Sequence, residues 1–350
     1  EVPNAEIAFH GPVKAYPFEG GEGEFRTRLD VKDIEFDYAN TFPRAQGITG
    51  EVVITNVRLV GKGTKGAVLG NTLRELDVVI EDLRQGILQY DGATEGDVEA
   101  VLAYMRGTPY ADQVGLVQAA AGPARVDLDF TLPLRKREDA VLAARLSTEN
   151  AKLRLVGLPT SFTEVQGVVS YETNEGLVAN GVEAMLLDRP VGINVVPVLD
   201  DNGSMVTSRL EVDGRYRLSD IIAPLDETLA DYFRGTSRFV ASAVLPVDSE
   251  EISGVSIATD LEGTQLTLPA PLAKAREETL ATVVNLRHTA DDGFAIDWRV
   301  GEVLSGLAQG RSDDAEMALT RAVVHFGSDD DAQSAFDDEL AGVAIDGAIS

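Results

Sequence analysis

The sequence predicts a mainly β protein with small helical inserts, its strands paired antiparallel and built into an elongated body of about three repeats. Three observations carry this expectation. Apolar and polar residues alternate with period two along many short stretches, helical spacing is confined to two segments, and short blocks recur about 113 residues apart. Period two puts apolar side chains on one face and polar ones on the other. That is the signature of antiparallel sheet, not of parallel strands buried on both sides.

Taken in order, Phe25, Thr27, Leu29 and Val31 alternate with Arg26, Arg28 and Asp30. The phase slips at Lys32-Asp33, after which Ile34, Phe36 and Tyr38 alternate with Glu35 and Asp37. Val52 to Leu59 reads as a strand. Glu95 to Arg106 places Val98, Val101, Leu102 and Met105 on one helical face, ended by Gly107 and Pro109, with a second helix expected over Tyr110 to Ala121. Val126 to Leu132, Leu153-Arg154-Leu155 and Ser208 to Val212 read as strands. Ser219 is placed to cap a helix over Asp220 to Phe233, with Pro224 kinking it near its start. Val255 to Leu261 and Phe294 to Val300 complete the strands, and Asp201-Asn202-Gly203, Asp213-Gly214 and Asp292-Gly293 are hairpin signals.

The recurrence is clearest between GPARVDLDFTLPL (122–134) and GTSRFVASAVLPV (235–247), where Gly122/Gly235, Arg125/Arg238, Leu132/Leu245 and Pro133/Pro246 coincide without gaps. Ile34-Glu35-Phe36, Leu153-Arg154-Leu155 and Leu266-Thr267-Leu268 form a second correspondence, and Gly157-Leu158-Pro159 and Pro269-Ala270-Pro271 then supply turns. The expected units are residues 1–121 with a helical insert at 94–121, residues 122–234 with an insert at 219–233, and residues 235–350, truncated at the C-terminal end. Units that cannot bury an apolar face alone stack on their neighbours.

Composition removes several classes of function. The chain of 350 residues carries 30 Lys plus Arg against 58 Asp plus Glu, a net charge of −28. Nucleic acid is excluded as a partner because phosphate binding needs basic patches, and a polybasic contact with anionic headgroups is disfavoured for the same reason. There is no cysteine, hence no disulfide, thiolate nucleophile or Cys-ligated metal. The chain opens on Glu1 without an initiator Met, a signal-peptide h-region or a run long enough to cross a bilayer, so it reads as a segment of a longer protein.

No catalytic or cofactor constellation emerges. His10, His288 and His325 are scattered, and the Asp-rich stretch from Asp329 to Glu339 lacks the Gly and Glu an EF-hand loop requires. Gly61-Lys62-Gly63-Thr64-Lys65-Gly66 is not a phosphate loop, and no G-x-S-x-G elbow occurs. The expectation is a non-enzyme with no metal and no cofactor. The apolar strand faces carry the remaining question: Phe25, Leu29, Ile34, Phe36, Val126, Leu128, Phe130, Leu153, Leu155, Phe239, Leu245, Leu266, Leu268, Ile296 and Trp298. They are either ordinary core or the lining of an open apolar trough. Such a trough suits acyl chains, which need apolar contact along their length and few polar contacts.

The segments FHGPVKAYPFEGGEGEFRTRLDVKDIEFDYANTFPRAQGITGEV (9–52), LRLVGLPTSFTEVQGVVSYETNEGLVANGVEAMLLDRPVGINV (153–195) and ATDLEGTQLTLPAPLAKA (258–275) resemble the YhdP family of AsmA-like bacterial envelope proteins. The resemblance runs through nearly the whole chain and rests on recurring short blocks, with no catalytic signature. It implies a twisted, taco-like antiparallel β-groove with a hydrophobic interior. It also implies a periplasmic region of a protein anchored in the inner membrane of a Gram-negative bacterium, conducting phospholipid between inner and outer membranes in the manner of a bridge. Phospholipid acyl chains are the implied partners, with inner- and outer-membrane components engaged through parts outside this segment. The alternative is a structural spacer or envelope assembly scaffold with a filled core. An envelope polysaccharide-active enzyme ranks behind both, because one Trp and 6% aromatic residues leave little to build sugar subsites.

Overall fold

The computed structural model describes residues 1–37, 43–108, 111–115, 117–136, 139–155, 160–173, 175–200, 205–223, 227–245, 254–289, 293–313, 316–327 and 342–347. Pro224, the turn residues 157–159, 201–203 and 292, and the acidic stretch 329–339 lie outside the described residues. The chain is mainly β, with antiparallel pairing and short helices, as the alternation predicts. It divides into two compact units. One comprises Glu1–Ala184 with Pro197–Val206, the other Met185–Val196 with Thr207–Ser350.

In the first unit the strands β1 (Asn4–His10), β2 (Glu24–Phe36), β3 (Ala45–Thr55), β4 (Arg58–Val68), β5 (Asn71–Ile80) and β6 (Ile87–Asp97) pair in sequence. After α1 (Val98–Arg106) and β7 (Val117–Ala121), β8 (Pro123–Pro133) pairs with β6. β9 (Val141–Leu155) and β10 (Ser161–Glu172) continue the order. Among the described residues β1 pairs with β2 alone, which makes this an open sheet and not a barrel. β11 (Gly176–Leu186) buries Ala179, Val182 and Ala184, the spacing of three falling across Gly181 at φ 64°. β12 (Arg189–Leu199), whose residues to Val196 belong to the second unit, buries Val191, Ile193 and Val195 at alternate positions.

The second unit continues from β13 (Met205–Tyr216) through α2 (Leu218–Ile222), α3 (Glu227–Ala230) and β14 (Phe233–Gly235). It pairs β13 with β15 (Ser237–Leu245), then β16 (Val255–Thr259), β18 (Thr282–Thr289), β19 (Gly293–Val300), β20 (Leu304–Asp313) and β21 (Glu316–Phe326), all antiparallel. β22 (Gly342–Gly347) adds in parallel, and β14 with β17 (Thr264–Leu266) forms a separate two-stranded sheet.

Local chemistry explains where these elements begin and end. The phase slip read at Lys32-Asp33 is a β-bulge: Val31 faces Gly50 and Ile34 faces Ile48, so three residues of β2 span two of β3, and Asp33 adopts φ 52°. Ile34 thereby returns to the face of Leu29 and Val31. There it packs with Val68 and Leu76 against the buried cluster of Ala45, Ile48 and Leu73. The expected strand from Val52 to Leu59 is two strands, because Asn56 takes φ 52° in a tight turn and its Oδ1 accepts the Phe25 N–H at 2.8 Å.

The helical inserts are smaller than the sequence suggests. α1 starts at Val98, since Asp97 is still paired with Pro123, and its carboxylate caps the helix by accepting from Glu99 N at 2.8 Å. The expected helix over 110–121 is a 3-10 turn at Ala111–Val114 followed by β7, whose residues pair with β9. Ser219 lies inside α2, whose N-cap is Arg217, and Phe233 already belongs to β14 because it pairs with Leu266. Asp213-Gly214 is not a turn: both residues sit mid-strand in β13, facing Val240 and Phe239. The glycine there makes room for a neighbouring ring, since a Cβ would stand 2.8 Å from Tyr216 Cε2.

The 113-residue offset reappears in the geometry. Ala120 faces Leu153 and Phe233 faces Leu266 in equivalent pairings, and Gly122 and Gly235 have φ +118° and +122°. A Cβ would fall 2.8 Å from Ala151 Cα at the first glycine and 3.1 Å from Thr264 Cα at the second, so only glycine permits the crossing. Each crossing is tied down differently. In the first unit Asp97 accepts from Gly122 N at 3.0 Å, while buried Asn71 accepts from Asp97 N at 2.9 Å. In the second, buried Ser237 and Thr264 share a 2.7 Å hydroxyl contact. Buried Lys274 donates its three ammonium hydrogens to the carbonyls of Leu261, Thr264 and Ala275 at 2.8–3.0 Å.

Asp97 thus serves a helix cap and a strand crossing at once. Asp97→Ala is expected to lower the stability of the first unit by about 1–2 kcal/mol, the ordinary cost of a lost cap. A chemical denaturation series on the two proteins measures it.

Candidate functional site

Directly opposed residues on paired strands share a face, so the register determines which side chains lie together. In the first unit one row runs Ala5, Leu29, Val52, Gly61, Val78, Tyr90, Phe130 and Leu142 across β1 to β9. A second row on the same face runs Val31, Gly50, Gly63, Leu76, Gly92, Leu128, Ala144 and Tyr171. Most of these side chains are only half-buried: Leu29, Val52, Val78, Tyr90, Leu128 and Phe130 all retain solvent exposure. A packed core would enclose them. Among the described residues no other layer of the unit covers this wide apolar face fully, and surfaces of that kind mark contacts with something outside the fold.

The second unit has its own apolar face. Val212, Ala241, Ile257, Val284, Trp298 and Gly306 form one row, and Leu210, Ala243, Val255, Leu286, Ile296 and Ala308 the next. Phe239 faces Gly214 and meets Tyr216 edge-on at 6.1 Å. Val255, Ile257, Val284, Leu286, Ile296 and Trp298 are again half-buried.

Of the residues singled out from sequence, Phe25, Leu29, Ile34, Phe36, Val126, Leu128 and Phe130 come together on the face in the first unit. Phe239, Ile296 and Trp298 do so in the second. Phe25 lies in an aromatic group with Phe9, Tyr16 and Phe18 at centroid distances of 5.4–6.4 Å, and Phe36 is exposed. Leu245 pairs with Ser208 at the end of β15. The remaining four occupy different surroundings. Leu153 and Leu155 lie on the far half of β9 against β7, and buried Leu266 sits in the two-stranded sheet with half-buried Leu268 just after it. Val52, Val78, Tyr90, Ile257, Val284 and Leu286 belong to the faces and were not singled out. Their strands carry extra apolar residues such as Val53, Val79 and Val283 at polar-face positions, which blurs the alternation.

The opposite face of the first unit is ionic. A cross-strand row runs Asp30, Glu51, Lys62, Asp77, Asp91 and Asp129. Beside it Glu95 bridges Arg74 at 2.7 Å and Arg125 at 3.1 Å, and Arg125 also holds Asp127 at 2.7 Å. These contacts hold the Glu95 carboxyl below its usual pKa, through the Arg74 hydrogen bond first. Arg84 holds the Asp82 carboxyl down to about 2 in the same way. Among the described residues no group of His, Asp or Glu is arranged to hold a metal, and no helix is long and apolar enough to cross a membrane.

Comparison with known proteins gives two matches of the same kind. A family model described as "YhdP protein" matches residues 1–347. The intermembrane phospholipid transporter YhdP of Escherichia coli (strain K12) is 22% identical over 322 residues, covering 87% of this chain and 25% of that protein. The chain therefore spans about a quarter of the length of the curated relative it matches. No solved structure matches.

On the ionic face, Asp91 lies directly between Asp77 and Asp129 with no cation opposite it. Like charges directly opposed across strands are destabilising. Asp91→Asn is therefore expected to raise the melting temperature in low salt, with the gain shrinking as salt screens the repulsion.

Proposed function

The chain belongs to the YhdP family, and from that premise we propose that it forms a stretch of an apolar conduit along which phospholipid moves between the inner and outer membranes. Acyl chains lie against the half-exposed rows of Leu29, Val52, Val78, Phe130 and their neighbours, and against the Trp298 and Ile296 rows of the second unit. Headgroups stay at the wet margin of each face. The observation that carries this reading is the row paired in register from β1 to β9, in which Leu29, Val52, Val78, Tyr90 and Phe130 are half-buried. The name of the E. coli relative, an intermembrane phospholipid transporter, supports the same reading. No reacting group is required, so the chain acts without catalysis.

The segment lies in the periplasm as part of an inner-membrane-anchored, bridge-like protein, and its membrane partners are engaged by parts beyond it. The proposed repeats are residues 1–121, 122–234 and 235–350. The paired glycines Gly122 and Gly235 and their matching strand crossings support the boundary between repeats. Transport along such a surface needs contact that is weak and continuous, so no single residue dominates it. The ionic face keeps the outside wetted and discourages sheet-to-sheet association.

A charge on the apolar face tests this directly. Leu128→Asp or Phe130→Asp is expected to reduce transfer of a fluorescent phospholipid between vesicles by about tenfold or more, since desolvating a carboxylate exceeds the ~1.4 kcal/mol that a factor of ten requires. Asp127→Asn, one position along on the ionic face, is expected to leave transfer unchanged. Equal losses in folded variants of both kinds would contradict a face-specific conduit.

A further inference from the structure

Large side chains on the apolar faces lie down over glycines. In β6 the Tyr90 ring covers Gly92, two residues along the same face: a Cβ there would stand 2.6 Å from Tyr90 Cζ. In the second unit Trp298 faces Gly306 across β19 and β20, and a Cβ on Gly306 would stand 2.5 Å from Trp298 Cε2. Leu76 covers Gly63 in the same way, at 2.5 Å from its Cδ2. Gly92 and Gly306 are buried beneath rings that are themselves half-exposed.

Glycine inside a strand weakens it, because the backbone loses more freedom on folding and no side chain is gained. Its recurrence under an aromatic therefore calls for a compensating effect. A ring laid on glycine covers the bare backbone and recovers part of that loss. It also keeps the ring low against the strand, with its far end over the glycine. An upright ring would instead fill much of the roughly 10 Å that separates facing apolar layers. The two units carry such a pair independently, each within a row of half-exposed aliphatic residues.

We propose that Tyr90–Gly92 and Trp298–Gly306 set the depth of the apolar face in their respective units, holding the largest side chains low so that an acyl chain can lie along that face. This rests on the lipid-conduit reading and adds to it the residues that limit what the surface admits. These pairs are positioning and selectivity elements. A straight acyl chain passes over a ring held low on the strand, and an upright one obstructs it.

The test separates the two levels. The chain is incubated with vesicles of phosphatidylethanolamine and phosphatidylglycerol, re-isolated and extracted for bound phospholipid. A Cβ at Gly92 meets the Tyr90 ring more closely than the Glu75 carbonyl oxygen, 2.6 Å from Cζ against 2.9 Å. Gly92→Ala therefore displaces chiefly the ring, with a small backbone shift, and is expected to remove most of the bound lipid. The double variant Gly92→Ala/Tyr90→Ala, which deletes the obstructing ring, is expected to recover it, an outcome that a purely structural role for Gly92 does not produce. In parallel, Gly306→Ala is expected to shift the emission of Trp298, the sole tryptophan, to longer wavelength as its ring leaves the strand. Wild type that binds lipid while Gly92→Ala binds equally well overturns the depth assignment alone, as does a folded double variant that fails to recover. Wild type that takes up no phospholipid overturns the conduit reading and this inference with it.

Discussion

Cross-strand register is the constraint on which everything else depends. Because side chains alternate faces with period two, a slip of one residue in any strand would exchange its apolar and ionic sides and break the surface. Where the chain gains a residue, as at Lys32-Asp33, a bulge absorbs it so that Ile34 rejoins Leu29 and Val31. The same register that aligns Leu29, Val52, Val78 and Phe130 forces Asp77, Asp91 and Asp129 into line on the other side. Like-charge strain on one face is a consequence of apolar continuity on the other.

The helical inserts follow from the same geometry. α1 contacts β7 and the ends of β6 and β8, and α2 contacts α3 and β14. Each insert is followed by a glycine crossing that returns the chain to the sheet. Asn71 and Asp97 tie the first crossing with hydrogen bonds, while the second relies on Ser237, Thr264 and an ammonium ringed by carbonyls. Burial pushes the Lys274 pKa below its ordinary value, partly opposed by Glu278, Asp260, Glu277 and Glu262. The recurring element is the glycine, and the polar groups that fasten it differ between the two sites.

Much of the fold was legible because alternation is a local property. The strands through Leu29, Phe130 and Trp298, the slip at Asp33 and the 113-residue recurrence were all readable without coordinates. What failed were the ends of elements decided by pairing. Residues 117–121 and Phe233 carry helical spacing yet become strand because Leu153 and Leu266 lie opposite, and Asp213-Gly214 looks like a turn yet serves as the floor beneath a ring. Residues of one apolar face were legible where a strand alternates cleanly, as in Val126, Leu128 and Phe130. Val78 and Val284 lie on the faces yet stand out less in the sequence, because Val79 and Val283 obscure the period. Leu153, Leu155 and Leu266 alternate equally well, yet they lie opposite β7 and β14, which local pattern does not reveal.

The central claim is that the apolar faces hold phospholipid rather than belonging to a closed core. Native mass spectrometry of the purified chain, followed by organic extraction and lipid analysis, addresses it most directly. The account predicts bound phospholipid, with several chains carried per molecule and no sharp stoichiometry, as expected for continuous weak contact. A clean apo mass that persists after incubation with phospholipid vesicles would contradict it and leave these sheets as a structural spacer.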